Sequence, residues 1–230
     1  MTPMSITCCT PGQPTAMSAI EAVFFDLDGT FADTAPDLNH ALNLMREARR
    51  LAPLPLELTR PVTSLGARGL LGAGFGITPD HPAYPLLRDE FLALYEQNLC
   101  RCTQLFPGMG TLLDAIETRG LKWGIVTNKA ERFARPLVAS LRPGAACVIG
   151  GDTTGKLKPH PEPLLAACRA IATPAAACAY VGDDERDIAA GRAAGMKTIA
   201  VSYGYLNGSL PVGWGADAVI AHPDELLRHL

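Results

Sequence analysis

The chain has 230 residues, of which 48% are apolar and 19% charged, and its net charge is −3. Those proportions suit a folded chain with a sizeable core and exclude an intrinsically disordered one. They leave no basic patch for nucleic acid, and no apolar run reaches the roughly eighteen residues that a membrane span requires.

Residues 1–18 lack periodicity and carry Pro3, Pro11, Gly12 and Pro14, which predicts a loose tail. The tail has neither the basic start nor the long apolar centre of a signal peptide, and Met1 or Met17 could serve as the start. The seven cysteines, Cys8, Cys9, Cys100, Cys102, Cys147, Cys168 and Cys178, are odd in number and fit no disulfide framework. Cys100 and Cys102 lack the second pair or nearby histidine that a zinc site needs. Reduced thiols in a cytoplasmic protein are the expectation.

The run Ala22-Val23-Phe24-Phe25 predicts a buried strand, and it ends in Asp26-Leu27-Asp28-Gly29-Thr30. Two carboxylates at the end of a buried strand want water, a cation or a hydrogen-bond donor. The open end of a strand in an α/β sheet is also where ligands bind. The pair therefore suggests a metal-assisted site with an aspartate nucleophile, or else a strand-to-turn junction with two solvated acids.

A helix is expected after Asp33-Thr34-Ala35-Pro36, with Asp33 or Thr34 as its cap. Pro53 and Pro55 break its pattern, and a second helical stretch follows Thr59-Arg60-Pro61. That stretch runs into Gly66-Ala67-Arg68-Gly69, read as a glycine-bearing turn that holds an arginine. A long helix is predicted over 85–99, with Leu87, Phe91, Leu94 and Tyr95 on one face. No strand pattern appears between Asp33 and Leu105, so residues 34–105 read as a helical insertion, a cap.

Past Phe106-Pro107-Gly108 the pattern alternates. Helices are expected over 109–118, around 133–141, after Pro161 and up to Gly195. Between them lie apolar runs at 122–126, 146–149, 179–182, 198–201 and 218–220. Strands alternating with helices predict right-handed crossovers and a doubly wound, Rossmann-like parallel sheet built from residues 19–33 and 106–230. Parallel strands leave their polar ends at one edge. Those ends are Asp26 and Asp28, then Thr127 and Asn128, then Asp183 and Asp184, with Asp187 one helical turn on. Thr127-Asn128 or Asp184 alone would read as a helix cap; three such ends in one sheet would not. Lys158, in Lys156-Leu157-Lys158-Pro159-His160-Pro161, adds a positive charge at that edge. An ammonium 4 Å from a carboxylate contributes about 4 kcal/mol at an effective dielectric of 20.

FFDLDGT, VTNK, KLKPHP and VGDDERD, in this order, resemble the haloacid dehalogenase superfamily of aspartate-nucleophile phosphatases. Within it, the chain looks like bacterial phosphoglycolate phosphatases and the related phosphatases of N-acetylmuramic acid 6-phosphate. The resemblance implies that Asp26 attacks phosphorus and that Asp28 serves as acid, then base. It implies Mg²⁺ held by Asp26, Asp183 and the main-chain carbonyl of Asp28, with Asp184 or Asp187 as a further ligand or support. Thr127 and Asn128 would bind the phosphoryl oxygens, and Lys158 would neutralise the developing charge. One departure is Asp184, where many phosphoglycolate phosphatases have serine. Arg68 in the cap is a candidate to grip a substrate carboxylate, or else is solvated or a helix cap. The partner is then a small phosphomonoester, with no nucleic acid and no membrane, and the protein a monomer or homodimer. Rival expectations are a carbon–halogen hydrolase, which has no use for Asp28 as acid, a sugar-phosphate mutase, and a receiver-like signalling domain, which is shorter and lacks the insertion.

Overall fold

A computed structural model describes residues 19–230; the expected tail, residues 1–18, lies outside the described residues. At the centre is strand β1 (Ala22–Phe25), whose four residues are all fully buried. Its side chains alternate between the two faces, as strand geometry requires. Val23 and Phe25 enter one core with the helices α5 (Met109–Thr118) and α6 (Glu131–Leu141). Ala22 and Phe24 enter a second with α7 (Glu162–Ile171) and α8 (Glu185–Ala194). A strand buried on both faces has no polar side, which is why its sequence is a continuous apolar run.

The remaining strands of the sheet are β4 (Lys122–Val126), β5 (Val148–Ile149), β6 (Cys178–Gly182), β7 (Lys197–Val201) and β8 (Ala218–Ile220), in the order β5-β4-β1-β6-β7-β8 and all parallel. Counted within the sheet this is 3-2-1-4-5-6, and the order reverses between β1 and β6. At such a reversal the crossovers leave in opposite directions and open a crevice beyond the strand ends. Asp26 and Asp183 stand at that crevice.

The inserted segment holds α1 (Ala35–Ala48), the short α2 (Leu56–Thr59), a 3₁₀ stretch (Arg60–Leu65), α3 (Gly66–Phe75) and α4 (Tyr84–Gln97). These helices share a core of their own, with Leu42, Met45, Leu70 and Phe91 at its centre and Phe133 of α6 packed against it. Three details differ from expectation. Residues 66–69 are the first turn of α3, not a free turn. A Cβ on Gly69 would lie 2.4 Å from the Val62 carbonyl oxygen, so this glycine allows close packing of a helix on the preceding stretch. The Thr34 and Asp33 side chains make no cap bond to α1, because they serve other partners described below. Finally, the insertion begins and ends on a two-stranded antiparallel ribbon, β2 (Ala32–Asp33) with β3 (Gln104–Leu105), which the sequence pattern had not suggested.

The ribbon is fastened by Asp37, a fully buried carboxylate in the first turn of α1. It accepts from the backbone N–H groups of Arg101, Cys102 and Thr103 at 2.9, 2.7 and 3.0 Å and from the Thr103 hydroxyl at 2.7 Å. A charge can be buried when its lone pairs are matched in this way.

Candidate active site

The edge beyond β1, β4 and β6 collects most of the residues expected from the sequence. The chain turns sharply after Asp28 because Gly29 has φ +91°, and a Cβ there would sit 2.2 Å from Asp183 Oδ2. Only glycine lets the β1 exit lie against Asp183. Asp183 is 1% exposed and is held by the Thr30 hydroxyl at 2.9 Å and the Tyr205 backbone N–H at 2.8 Å.

Lys158 reaches the same point from the loop after β5. Its ammonium, 4% exposed, lies 2.8 Å from Asp26 Oδ1 and 2.7 Å from Asp187 Oδ1. It also donates to the Val126 carbonyl at 3.1 Å and the Tyr180 hydroxyl at 2.7 Å. Burial works against its charge, yet Asp187 and Asp26 hold its pKa above the ordinary lysine value. Asn128 fixes the Lys158 main chain from both sides: its carboxamide donates to the Lys158 carbonyl at 3.0 Å and accepts from the Lys158 N–H at 2.8 Å. Thr127, at the end of β4, is 3% exposed and faces the same cavity.

Asp26, Asp183 and Asp187 bring carboxylate oxygens within 4.8 Å of one another. One lysine cannot neutralise three such acids. Burial, with Asp26 and Asp187 nearby, pushes Asp183 well above the usual carboxylate range. Burial likewise pushes Asp187 up to about 7, against the pull of Lys158. A divalent cation would replace the protons these groups otherwise retain, and an all-oxygen set without His or Cys fits a hard ion. The donor set therefore fits a metal. Of the two candidates for its further support, Asp187 joins the cluster and Asp184 does not. Asp184 caps α8, accepting from the Arg186 N–H at 2.9 Å, and pairs with the Arg186 guanidinium at 2.8 Å.

Asp28 points into the same cavity. It accepts from the Thr34 hydroxyl and from the Lys129 ammonium at 2.9 Å. Lys129 stood inside the VTNK motif, but only the fold shows that it meets Asp28. Tyr180 was visible in the sequence merely as a strand residue. Asp33, expected as a cap, accepts instead from the Arg60 guanidinium at 2.9 and 2.8 Å and from the Tyr205 hydroxyl at 2.9 Å. Arg68 is exposed, lies in the first turn of α3 and lines the cavity wall, and it makes no ion pair among the described residues. The cavity has a volume of about 450 Å³, with the sheet edge as its floor and the insertion as its roof.

A family model for haloacid dehalogenase-like hydrolases matches residues 20–195, most of the chain and every group at the sheet edge. The chain belongs to that family. It is 42% identical over 211 residues to the N-acetylmuramic acid 6-phosphate phosphatase of Pseudomonas aeruginosa, covering 90% of this chain and 93% of that one. It is 45% identical over 208 residues to the phosphoglycolate phosphatase of Xanthomonas campestris, covering 89% and 94%. A predicted phosphoglycolate phosphatase from Haemophilus somnus, solved as a crystal structure, superposes with a TM-score of 0.81 at 23% identity, covering 93% of this chain and 99% of that one, and shares the fold. As a haloacid dehalogenase-like hydrolase the chain is an enzyme, and its curated relatives are phosphatases, which removes the receiver-like alternative. No helix among the described residues is long and apolar enough to cross a membrane.

Proposed function

We propose that the chain is a Mg²⁺-dependent phosphomonoester hydrolase that works through an aspartyl phosphate on Asp26, with phosphoglycolate as the first substrate to test. The observation that carries this reading is Lys158 within 2.8 Å of Asp26 in a cavity that also presents Asp28. In the proposed first step an Asp26 carboxylate oxygen bonds to phosphorus while the bond from phosphorus to the substrate oxygen breaks. Asp28 gives its proton to the departing oxygen. In the second step Asp28 takes a proton from water, whose oxygen bonds to phosphorus and releases Asp26 as a carboxylate with inorganic phosphate.

Lys158 orients Asp26 and faces the negative charge that grows on the phosphoryl oxygens, a preorganised contact of the kind that stabilises transition states. Thr127 would donate to those oxygens from its hydroxyl. Asn128 would use its main-chain N–H, since its carboxamide is committed to Lys158. Asp26, Asp183 and the Asp28 carbonyl would hold Mg²⁺, with Asp187 behind them, and the ion would supply charge neutralisation of the phosphoryl group.

A second reading, N-acetylmuramic acid 6-phosphate, has its own support. A cavity of about 450 Å³ walled by Leu38, Phe91, Tyr95 and Phe133 is roomy for a two-carbon acid and suits an acylated amino sugar. Arg68 would then meet an anionic group far from phosphorus. Phosphate release from both compounds, with Mg²⁺ and with excess chelator, tests the proposal. Release with Mg²⁺ that chelator abolishes is expected, and full activity in chelator contradicts it. The ratio of kcat/KM between the two compounds ranks the substrates.

A further inference from the structure

Two polar groups in the cavity have no contact with substrate in the chemistry above. Tyr95, on α4 of the cap, is 1% exposed and lines the cavity, yet its hydroxyl makes no hydrogen bond of ordinary geometry, only a loose approach to the Lys129 ammonium. Its ring is fully used: it stacks on Phe91 with centroids 6.5 Å apart and meets Phe133 edge-on at 5.5 Å. Phenylalanine would make the same contacts without burying an unpaired hydroxyl, which is destabilising. The second group is Lys129 of the core. Its ammonium, on a side chain 8% exposed, lies 4.6 Å from the Tyr95 ring centroid and donates to both carboxyl oxygens of Asp28, at 2.9 and 3.3 Å.

We propose that Lys129 and Tyr95 form an anion subsite, core ammonium and cap hydroxyl together, that receives the carboxylate of the substrate. The proposal rests on the phosphatase reading and adds to it the two residues that would read the carboxylate both proposed substrates carry. A monoanion is required because Asp28 already sits against Lys129. A second dianion so close to the phosphoryl group would meet net repulsion, whereas a carboxylate can accept from the ammonium and the phenol at once. Because Lys129 belongs to the core and Tyr95 to the cap, a carboxylate between them also ties cap to core over the reacting phosphoryl group. Burial pushes the Tyr95 phenol up to about 12, so it remains a donor across the working pH range.

The test uses Tyr95→Phe, which removes only the hydroxyl, and two matched pairs of compounds. One pair is phosphoglycolate and 2-hydroxyethyl phosphate. The other is N-acetylmuramic acid 6-phosphate and N-acetylglucosamine 6-phosphate. In each pair a carboxylate is present or absent, and the pairs separate a compact acid from an amino-sugar acid. Wild type should prefer the acid in at least one pair. For that acid, Tyr95→Phe should raise KM roughly tenfold, the loss of one hydrogen bond to a charged group, while KM for its neutral partner changes less than about twofold. Lys129→Met should show the same asymmetry in KM and should also lower kcat on both members, because it releases Asp28. Equal KM changes for acid and neutral partner in Tyr95→Phe would overturn the subsite, as would a preference lost in Arg68→Ala and kept in Tyr95→Phe. No phosphate release from any of the four compounds with Mg²⁺ would overturn the phosphatase reading itself.

Discussion

Lys158 is where the charges of the site converge, and its contacts set what its loss should do. One ammonium touches Asp26, Asp187, the Val126 carbonyl and the Tyr180 hydroxyl. Among the described residues Lys158 is the only positive group that touches the nucleophile, so Lys158→Ala should lower kcat by about 10²–10³, as the loss of one preorganised donor does elsewhere. A single-turnover assay that gave a change of a few-fold would place Lys158 outside the chemistry. The acids make a second prediction, which needs no turnover. Burial moves the Asp187 carboxyl from 3.8 up to about 7. Between those values the folded protein keeps a proton that the unfolded chain has released, so without a cation stability falls as pH rises through that window. A divalent ion competes with that proton. The rise in Tm on adding Mg²⁺ should therefore be larger at about pH 8 than at about pH 5. Equal rises at both pH values in scanning calorimetry would show that the acid cluster is not where the ion acts.

At the scale of the element, strand ends were readable and packing partners were not. Ala22–Phe25 announces a central strand because both its faces are buried and none of its side chains needs water. Alternation with helices then gives the parallel sheet, and a parallel sheet places Asp26, Thr127 and Asp183 at one edge. The β2–β3 ribbon is two residues a side and too short for any period to show. The segment 66–69 misled because glycine marks turns in general, while Gly69 is needed for the approach of α3 to Val62. Lys129 and Tyr95 illustrate the same limit: sequence names the residues, but their meeting depends on how α4 lies over the end of β4. The ribbon yields a prediction of its own. Asp37→Ala would leave three backbone N–H groups and the Thr103 hydroxyl without their acceptor, and should cost on the order of 3 kcal/mol. Denaturant unfolding of that variant measures the loss, and a change below about 0.5 kcal/mol would show that the ribbon is held by other contacts.

For the whole molecule, the division of labour follows from the two cores. The sheet and its flanking helices hold every group proposed to touch phosphorus, and the insertion supplies the cavity roof with Tyr95 and Arg68. Chemistry common to many phosphomonoesters can thus sit on one rigid edge while the roof decides which of them fits. All of this depends on Asp26 forming the bond to phosphorus. Mixing the enzyme with substrate and Mg²⁺, quenching during turnover, and reducing with borohydride converts an aspartyl phosphate into homoserine, which peptide mass spectrometry can locate. Homoserine at position 26, and none in the Asp26→Asn variant, is the predicted result. Homoserine at another position, or Mg²⁺-dependent phosphate release by pure Asp26→Asn protein, would contradict it.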